Sequence, residues 1–155
     1  MVDNQVVGEH NMKIKSFRGQ IAMGGQETIR LSTNQGTVGY KIKKFRLMSS
    51  APGTASVEYV AKAYTFKQSS INATVDFNDP RLLAVSYYQD EAAPHYPSSE
   101  DIIFDAVKFN QDIFVTVEDA GGGSLAANYY LELEQVKLSV DEAAVATLKD
   151  MRGSN

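Results

Sequence analysis

Hydrophobic and polar positions alternate with a period of two through most of the chain from Met12 to Leu138, in short runs separated by turn residues. That period sends successive side chains to opposite faces of an extended backbone, so the pattern predicts a series of half-buried β-strands. In MKIKSFR, Met12, Ile14 and Ser16 share one face and Lys13, Lys15 and Phe17 the other; ETIRLS sets Ile29 and Leu31 opposite Thr28 and Arg30. Met23-Gly24-Gly25 reads as the turn between them, and Asn34, Gly36 and Gly39 punctuate the next connection because they tolerate positive φ. Within VGYKIKKFRLMSS the parity slips, Tyr40 and Ile42 on one parity and Phe45 and Leu47 on the other, which predicts a β-bulge.

Beyond the turn Ala51-Pro52-Gly53-Thr54, ASVEYVAKAYTF alternates Val57, Tyr59, Ala61 and Ala63 with Glu58, Val60, Lys62 and Tyr64. INATVDF then leads into the turn Asn78-Asp79-Pro80-Arg81, where the proline keeps Asp79 out of the helical region. LLAVSYY is a continuous apolar run, the mark of a strand buried on both faces or lying at a subunit contact. Residues 89–100, QDEAAPHYPSSE, form the longest predicted loop and hence a candidate binding element. IIFDAVKF and DIFVTVED follow as strands, then a glycine tip at Gly121–Gly123, then NYYLELEQVKL, where Tyr129, Leu131 and Leu133 oppose Tyr130, Glu132 and Glu134. At the end the period changes. Ser139 and Glu142 make a capping box, and Val140, Ala144, Val145, Leu148 and Met151 form an apolar stripe at helical spacing that must cover the sandwich edge or a neighbouring copy.

These elements predict a mainly β fold: an antiparallel β-sandwich of jelly-roll or immunoglobulin-like type, with about eight or nine strands and a short C-terminal helix. Residues 1–11 are expected to form an N-terminal arm, and residues 12–155 one domain ending in a helix at about 140–150. With 155 residues, 43% hydrophobic and 22% charged, the chain is long enough to bury a core without a metal or disulfide staple. Cysteine is absent, which removes disulfides, thiolate zinc sites and thiol nucleophiles. No stretch reaches the roughly 18 apolar residues of a membrane span, and the start lacks the pattern of an export signal, so a soluble chain with no membrane partner is expected.

The net charge of −4 is unevenly laid out: residues 1–50 carry eight Lys/Arg against three Asp/Glu, and residues 51–155 seven against sixteen. Opposite signs in two parts of one chain suit contact between copies or with a charged partner, unless the fold interleaves them. Candidate chemistry is sparse. His10 lies in the arm and His95 in the long loop, neither a place to hold a histidine rigidly between catalytic partners. Asp76, Asn78 and Asp79 offer oxygen ligands for calcium but lack the glycine and distal glutamate of an EF-hand, so turn capping is the stronger reading, and Glu100 and Asp101 beside Ser98 and Ser99 offer less. Nothing marks a pair among the nineteen acids as glycosidase carboxylates. Without tryptophan, a sugar would have to stack on tyrosines such as Tyr87, Tyr88, Tyr96, Tyr129 and Tyr130. KIKKFR sets cations beside aromatics, yet a pI near 5.1 argues against nucleic acid, and Gly121–Gly123 lacks the lysine and helix of a phosphate cradle. The expectation is no enzyme, no metal and no cofactor.

The segments ETIRLSTNQGTVGYKIKKFRLMSS, INATVDFNDPRLLAVSYY, IIFDAVKFNQDIFVTVED and NYYLELEQVKLS together resemble small virion structural proteins of marine tailed bacteriophages, across roughly residues 12–150. The resemblance implies a building block present in many copies: a capsid decoration or cement protein, made in the host cytoplasm and located on the virion surface. Its partners would be the major capsid protein or other virion proteins and further copies of itself, with a trimer as the expected oligomer. Partner contacts would then draw on Val6 and Val7 in the arm, on Lys41, Lys43, Lys44 and Arg46, on Tyr96 and on Leu148. The alternative is a carbohydrate-binding tail or fibre module that recognises host glycans, with Tyr96 in its ligand loop.

Overall fold

The computed structural model describes residues 13–31, 37–92, 97–104 and 107–153. Val6, Val7, His10, His95 and Tyr96, with the whole of the expected arm, lie outside the described residues. The elements are β1 (Lys13–Ile21), β2 (Gly25–Ile29), β3 (Val38–Ser49), β4 (Val57–Tyr64), β5 (Leu82–Asp90), β6 (Ser98–Ile103), β7 (Ile113–Asp119), β8 (Ala127–Lys137) and α1 (Val140–Gly153). All strand pairs are antiparallel, in a three-stranded sheet of order β1-β8-β3 and a five-stranded sheet of order β2-β7-β4-β5-β6. The mainly β, sandwich-like architecture with one C-terminal helix is therefore as the period-two pattern predicts.

The chain changes sheet between β1 and β2, and Gly24 makes this possible. With φ at 75° it occupies the left-handed region of a tight turn, closed by the Gly25 amide donating to the Ala22 carbonyl at 2.9 Å. Between the sheets, Tyr40, Ile42, Phe45 and Leu47 of β3 and Tyr129, Leu131 and Leu133 of β8 meet Tyr59 and Ala61 of β4 and Ile113, Val115 and Val117 of β7 in one apolar core. The parity slip in β3 is a bulge between Ile42 and Lys44 against β8, which keeps both Ile42 and Phe45 inside. Polar ties join the layers. The Tyr129 hydroxyl donates to Glu27 Oε1 at 2.5 Å, and the Tyr59 hydroxyl reaches the carbonyls of Leu125 and Ala126 at 2.9 and 3.0 Å.

Three expectations are corrected. In β1 the inward side chains are Phe17 and Ile21, while Ile14 takes the opposite parity, faces outward in a row with Glu134 and Lys41, and is 48% exposed. The loop at 89–100 is shorter than its composition suggests, because Gln89 and Asp90 complete β5 and Ser98 to Glu100 open β6. The strand expected over IIFDAVKF ends at Ile103; Phe109 instead makes a single bridge to Tyr40 of β3, in the other sheet.

The longest connection among the described residues is instead 65–81, between β4 and β5. It folds back as a strap over the outer face of the five-stranded sheet, where Val60, Tyr64, Leu82 and Val85 form a second apolar cluster with Ala73 and Phe104 against it. Gln26 and Gln68 clasp it reciprocally: the Gln26 amide donates to the Gln68 carbonyl at 3.1 Å, and the Gln68 N–H to Gln26 Oε1 at 2.8 Å.

Candidate interaction surface

The outer faces of the two sheets are built differently. On the three-stranded sheet, register sets Ile14, Glu134 and Lys41 in one row, Ser16, Glu132 and Lys44 in the next, and Arg18, Tyr130 and Arg46 in a third. These side chains point away from the core because Tyr40, Ile42, Phe45 and Leu47 take the inward positions. Lys41 and Lys43 approach Glu134 at 3.8 and 3.7 Å, Lys44 approaches Glu132 at 3.9 Å, and Arg46 Nε meets Asp101 Oδ2 of β6 at 3.1 Å. Four of the eight cations of the first fifty residues are thus paired with carboxylates of the rest, which partly interleaves in space the charge that is separated in sequence. Pairing is incomplete. Arg18, Lys41, Lys43, Lys44 and Arg46 face Glu132, Glu134 and Asp101, so this open ridge keeps two surplus positive charges on a chain whose net charge is −4. Exposed, long ion pairs of this kind are weak and salt-sensitive, which leaves the lysines available to a partner.

The outer face of the five-stranded sheet is acidic where the strap leaves it open. Glu118, Val60, Tyr87 and Glu100 share a row, with Glu58 in the next. The Tyr87 hydroxyl donates to Glu58 Oε2 at 2.8 Å; burial and that carboxylate push the phenol up to about 12. Under the strap lies Lys62, 3% exposed, whose ammonium donates to Asn72 Oδ1 at 3.2 Å and to the Thr74 carbonyl at 2.5 Å. Burial lowers its pKa, and the neighbouring Asp79 partly offsets this. The alternation sets Lys62 with Glu58, Val60 and Tyr64 on the face opposite Val57, Tyr59, Ala61 and Ala63, without showing that this face is covered. The available signal was that Val60 and Tyr64, on the same parity, are as apolar as the inward residues of β4.

α1 presents a third surface. Its start is built as the capping box requires: the Glu142 N–H donates to Ser139 Oγ and the Ser139 N–H to Glu142 Oε1, each at 3.0 Å. Side-chain ties to the sandwich are polar, Lys108 Nζ to Glu142 Oε2 at 2.8 Å and the Asn110 amide to Thr147 Oγ1 at 3.1 Å. The apolar stripe is left outside: Val140 is 76% exposed, Val145 51% and Leu148 50%, with Met151 exposed alongside. Of the two covers expected for this stripe, the sandwich edge leaves Val140, Val145 and Leu148 half or more exposed.

The remaining sequence candidates do not converge. Tyr88 and Tyr129 are buried, Tyr87 lies on the acidic face and Tyr130 on the basic one, so the four described tyrosines form no common stacking platform. Asp76 Oδ1 accepts the Asn78 N–H at 2.9 Å, and Asp79 takes the Arg81 N–H and Nε, both at 2.9 Å, and Nη2 at 3.3 Å. Hydrogen bonds from Arg81 hold the Asp79 carboxyl below its ordinary range. Both acids cap their own turn. Among the described residues no group of three or more His, Asp or Glu side chains is arranged to hold a metal ion. Asp101 is occupied by Arg46 and by the Ser86 hydroxyl at 2.7 Å, and the Gly121 N–H caps onto Asp119 Oδ1 at 2.8 Å. In comparison with known proteins, the chain matches no family profile and no curated sequence.

Proposed function

We propose that this protein is a structural component of a virion, a decoration or cement protein that sits on the outer shell as a homo-oligomer and braces the major capsid protein. The virion context comes from the resemblance of its strand segments to small phage structural proteins. The observation that carries the reading here is the ridge of β1, β8 and β3, where Arg18, Lys41, Lys43, Lys44 and Arg46 stand open on an otherwise acidic chain. Such a ridge recognises an acidic protein surface by charge, and repetition around a closed shell turns a weak, salt-dependent contact into high occupancy.

The test is addition of purified protein to expanded shells assembled without it. Saturable co-sedimentation that falls with rising salt, and that is lost in the double reversal Lys43→Glu/Lys44→Glu, is the expected outcome. Failure to co-sediment at any salt concentration, with shell stability unchanged, contradicts it.

A further inference from the structure

We propose that α1 is a self-association element through which two copies pair, their helices antiparallel and the stripes of Val140, Ala144, Val145, Leu148 and Met151 packed face to face about a two-fold axis. This deepens the homo-oligomer part of the proposed function but uses a surface separate from the basic ridge, so each can fail without the other.

Exposure and spacing give the first argument. Val140, Val145 and Leu148 are each half or more exposed, while the Lys108–Glu142 and Asn110–Thr147 contacts tie α1 to the sandwich. Positions 140, 144, 148 and 151 recur at three- and four-residue steps, the seam by which one helix packs on another. A helix of 14 residues is close to the shortest that holds its form alone in water, so covering this stripe stabilises it.

Charge selects the occupant and its direction. The first turn carries Asp141 and Glu142, and the sequence places a lysine at 149, an aspartate at 150 and an arginine at 152 toward the end, so the start is net negative and the end net positive by one charge. In an antiparallel pair the acidic start of each helix lies beside the basic end of its partner, and the helix dipoles oppose favourably. A parallel pair sets acid against acid. A two-fold axis near the middle of the stripe then brings Val140 of one copy to Met151 of the other and Ala144 to Leu148. The fit is to the same helix of a second copy, in a dimer rather than the trimer that the phage resemblance implies.

A single helix pair is small beside the roughly 1,200–2,000 Å² of a standard interface, so the dimer forms with a dissociation constant in about the micromolar range. Sedimentation of the full chain over about 1 to 500 µM is expected to show monomer passing to dimer, with Leu148→Asp weakening the pairing at least about tenfold. Because Leu148 is exposed, that variant keeps the unfolding midpoint of the dilute protein.

The absence of native cysteine allows a direct test of orientation. An oxidised mixture of Val140→Cys and Met151→Cys proteins should yield a disulfide-linked dimer containing one of each, while neither variant alone does so efficiently. A chain monomeric at every concentration, a trimer, a dimer that survives Leu148→Asp, or self-crosslinking of Val140→Cys alone as efficient as the mixture would each overturn the proposal.

Discussion

β8 and α1 are neighbours in the chain, separated by Leu138 and Ser139, and both carry regular apolar patterns, yet the two patterns meet opposite fates. In β8, Tyr129, Leu131 and Leu133 are buried in the common core between the two sheets. In α1, Val140, Val145 and Leu148 face solvent. Periodicity states which face of an element needs cover; whether cover is available inside the same chain depends on the space left by the other elements. Where it is not, the same physics that builds a core builds an interface.

The largest effect that separates the two regions is Leu131→Ala. Leu131 has no exposure and lies between Phe17 and Phe45, so the change leaves a cavity and should lower stability by about 2–5 kcal/mol in urea denaturation of the dilute chain. Leu148→Ala under the same conditions should cost no more than about 0.5 kcal/mol. Comparable losses at the two sites would erase the distinction.

Lys62→Ala comes next. It removes the stem that fills the space under the strap and the donor to Asn72 and Thr74, a loss of about 1–3 kcal/mol. Limited proteolysis should then cut first within 65–81, and an unchanged cleavage pattern would show that Lys62 does not hold the strap.

Alkaline pH provides a third probe. Tyr87 keeps its proton up to about 12, and burial raises Tyr59, Tyr64, Tyr88 and Tyr129 as well, whereas phenols of the unfolded chain ionise near 10. The fold thus holds protons that the unfolded chain releases. This stabilising contribution is complete below about pH 10 and is lost as pH rises toward 12. Denaturation midpoints should fall between pH 9 and 11, with phenolate absorbance appearing in step with unfolding. Lys62 acts in the opposite sense, since its penalty is relieved as pH rises through its lowered pKa toward 10.5; Lys62→Ala should therefore steepen the alkaline loss.

The smallest change is local to the helix. Ser139→Ala removes the acceptor for the Glu142 N–H and should cost α1 about 1 kcal/mol, read as reduced helical ellipticity with β-sheet stability intact.

Elements whose pattern is set by their own residues were legible in the sequence. The bulge in β3 follows from the parity slip between Ile42 and Phe45, the cap of α1 from Ser139 and Glu142, and the two-sided burial of β5 from the unbroken run LLAVSYY. What depended on distant partners was not legible. The inward face of β1 is decided by the packing of Phe17 and Ile21 in the core rather than by Ile14, and the strap at 65–81 has no period of its own because it is held by Gln26, Lys62 and Phe104 from other parts of the chain. For the interaction surface, KIKKFR and the helical stripe were readable as candidates. Their pairing with Glu132, Glu134 and Asp101, and the exposure of the stripe, required the sheet register.

Hydrogen exchange followed residue by residue as a function of protein concentration tests most directly whether the stripe on α1 is an interface. Backbone amides of α1 should exchange readily in dilute solution and become at least about tenfold more protected as copies associate, while those of β8 stay equally protected throughout. Protection of α1 that is the same at every concentration would contradict the account.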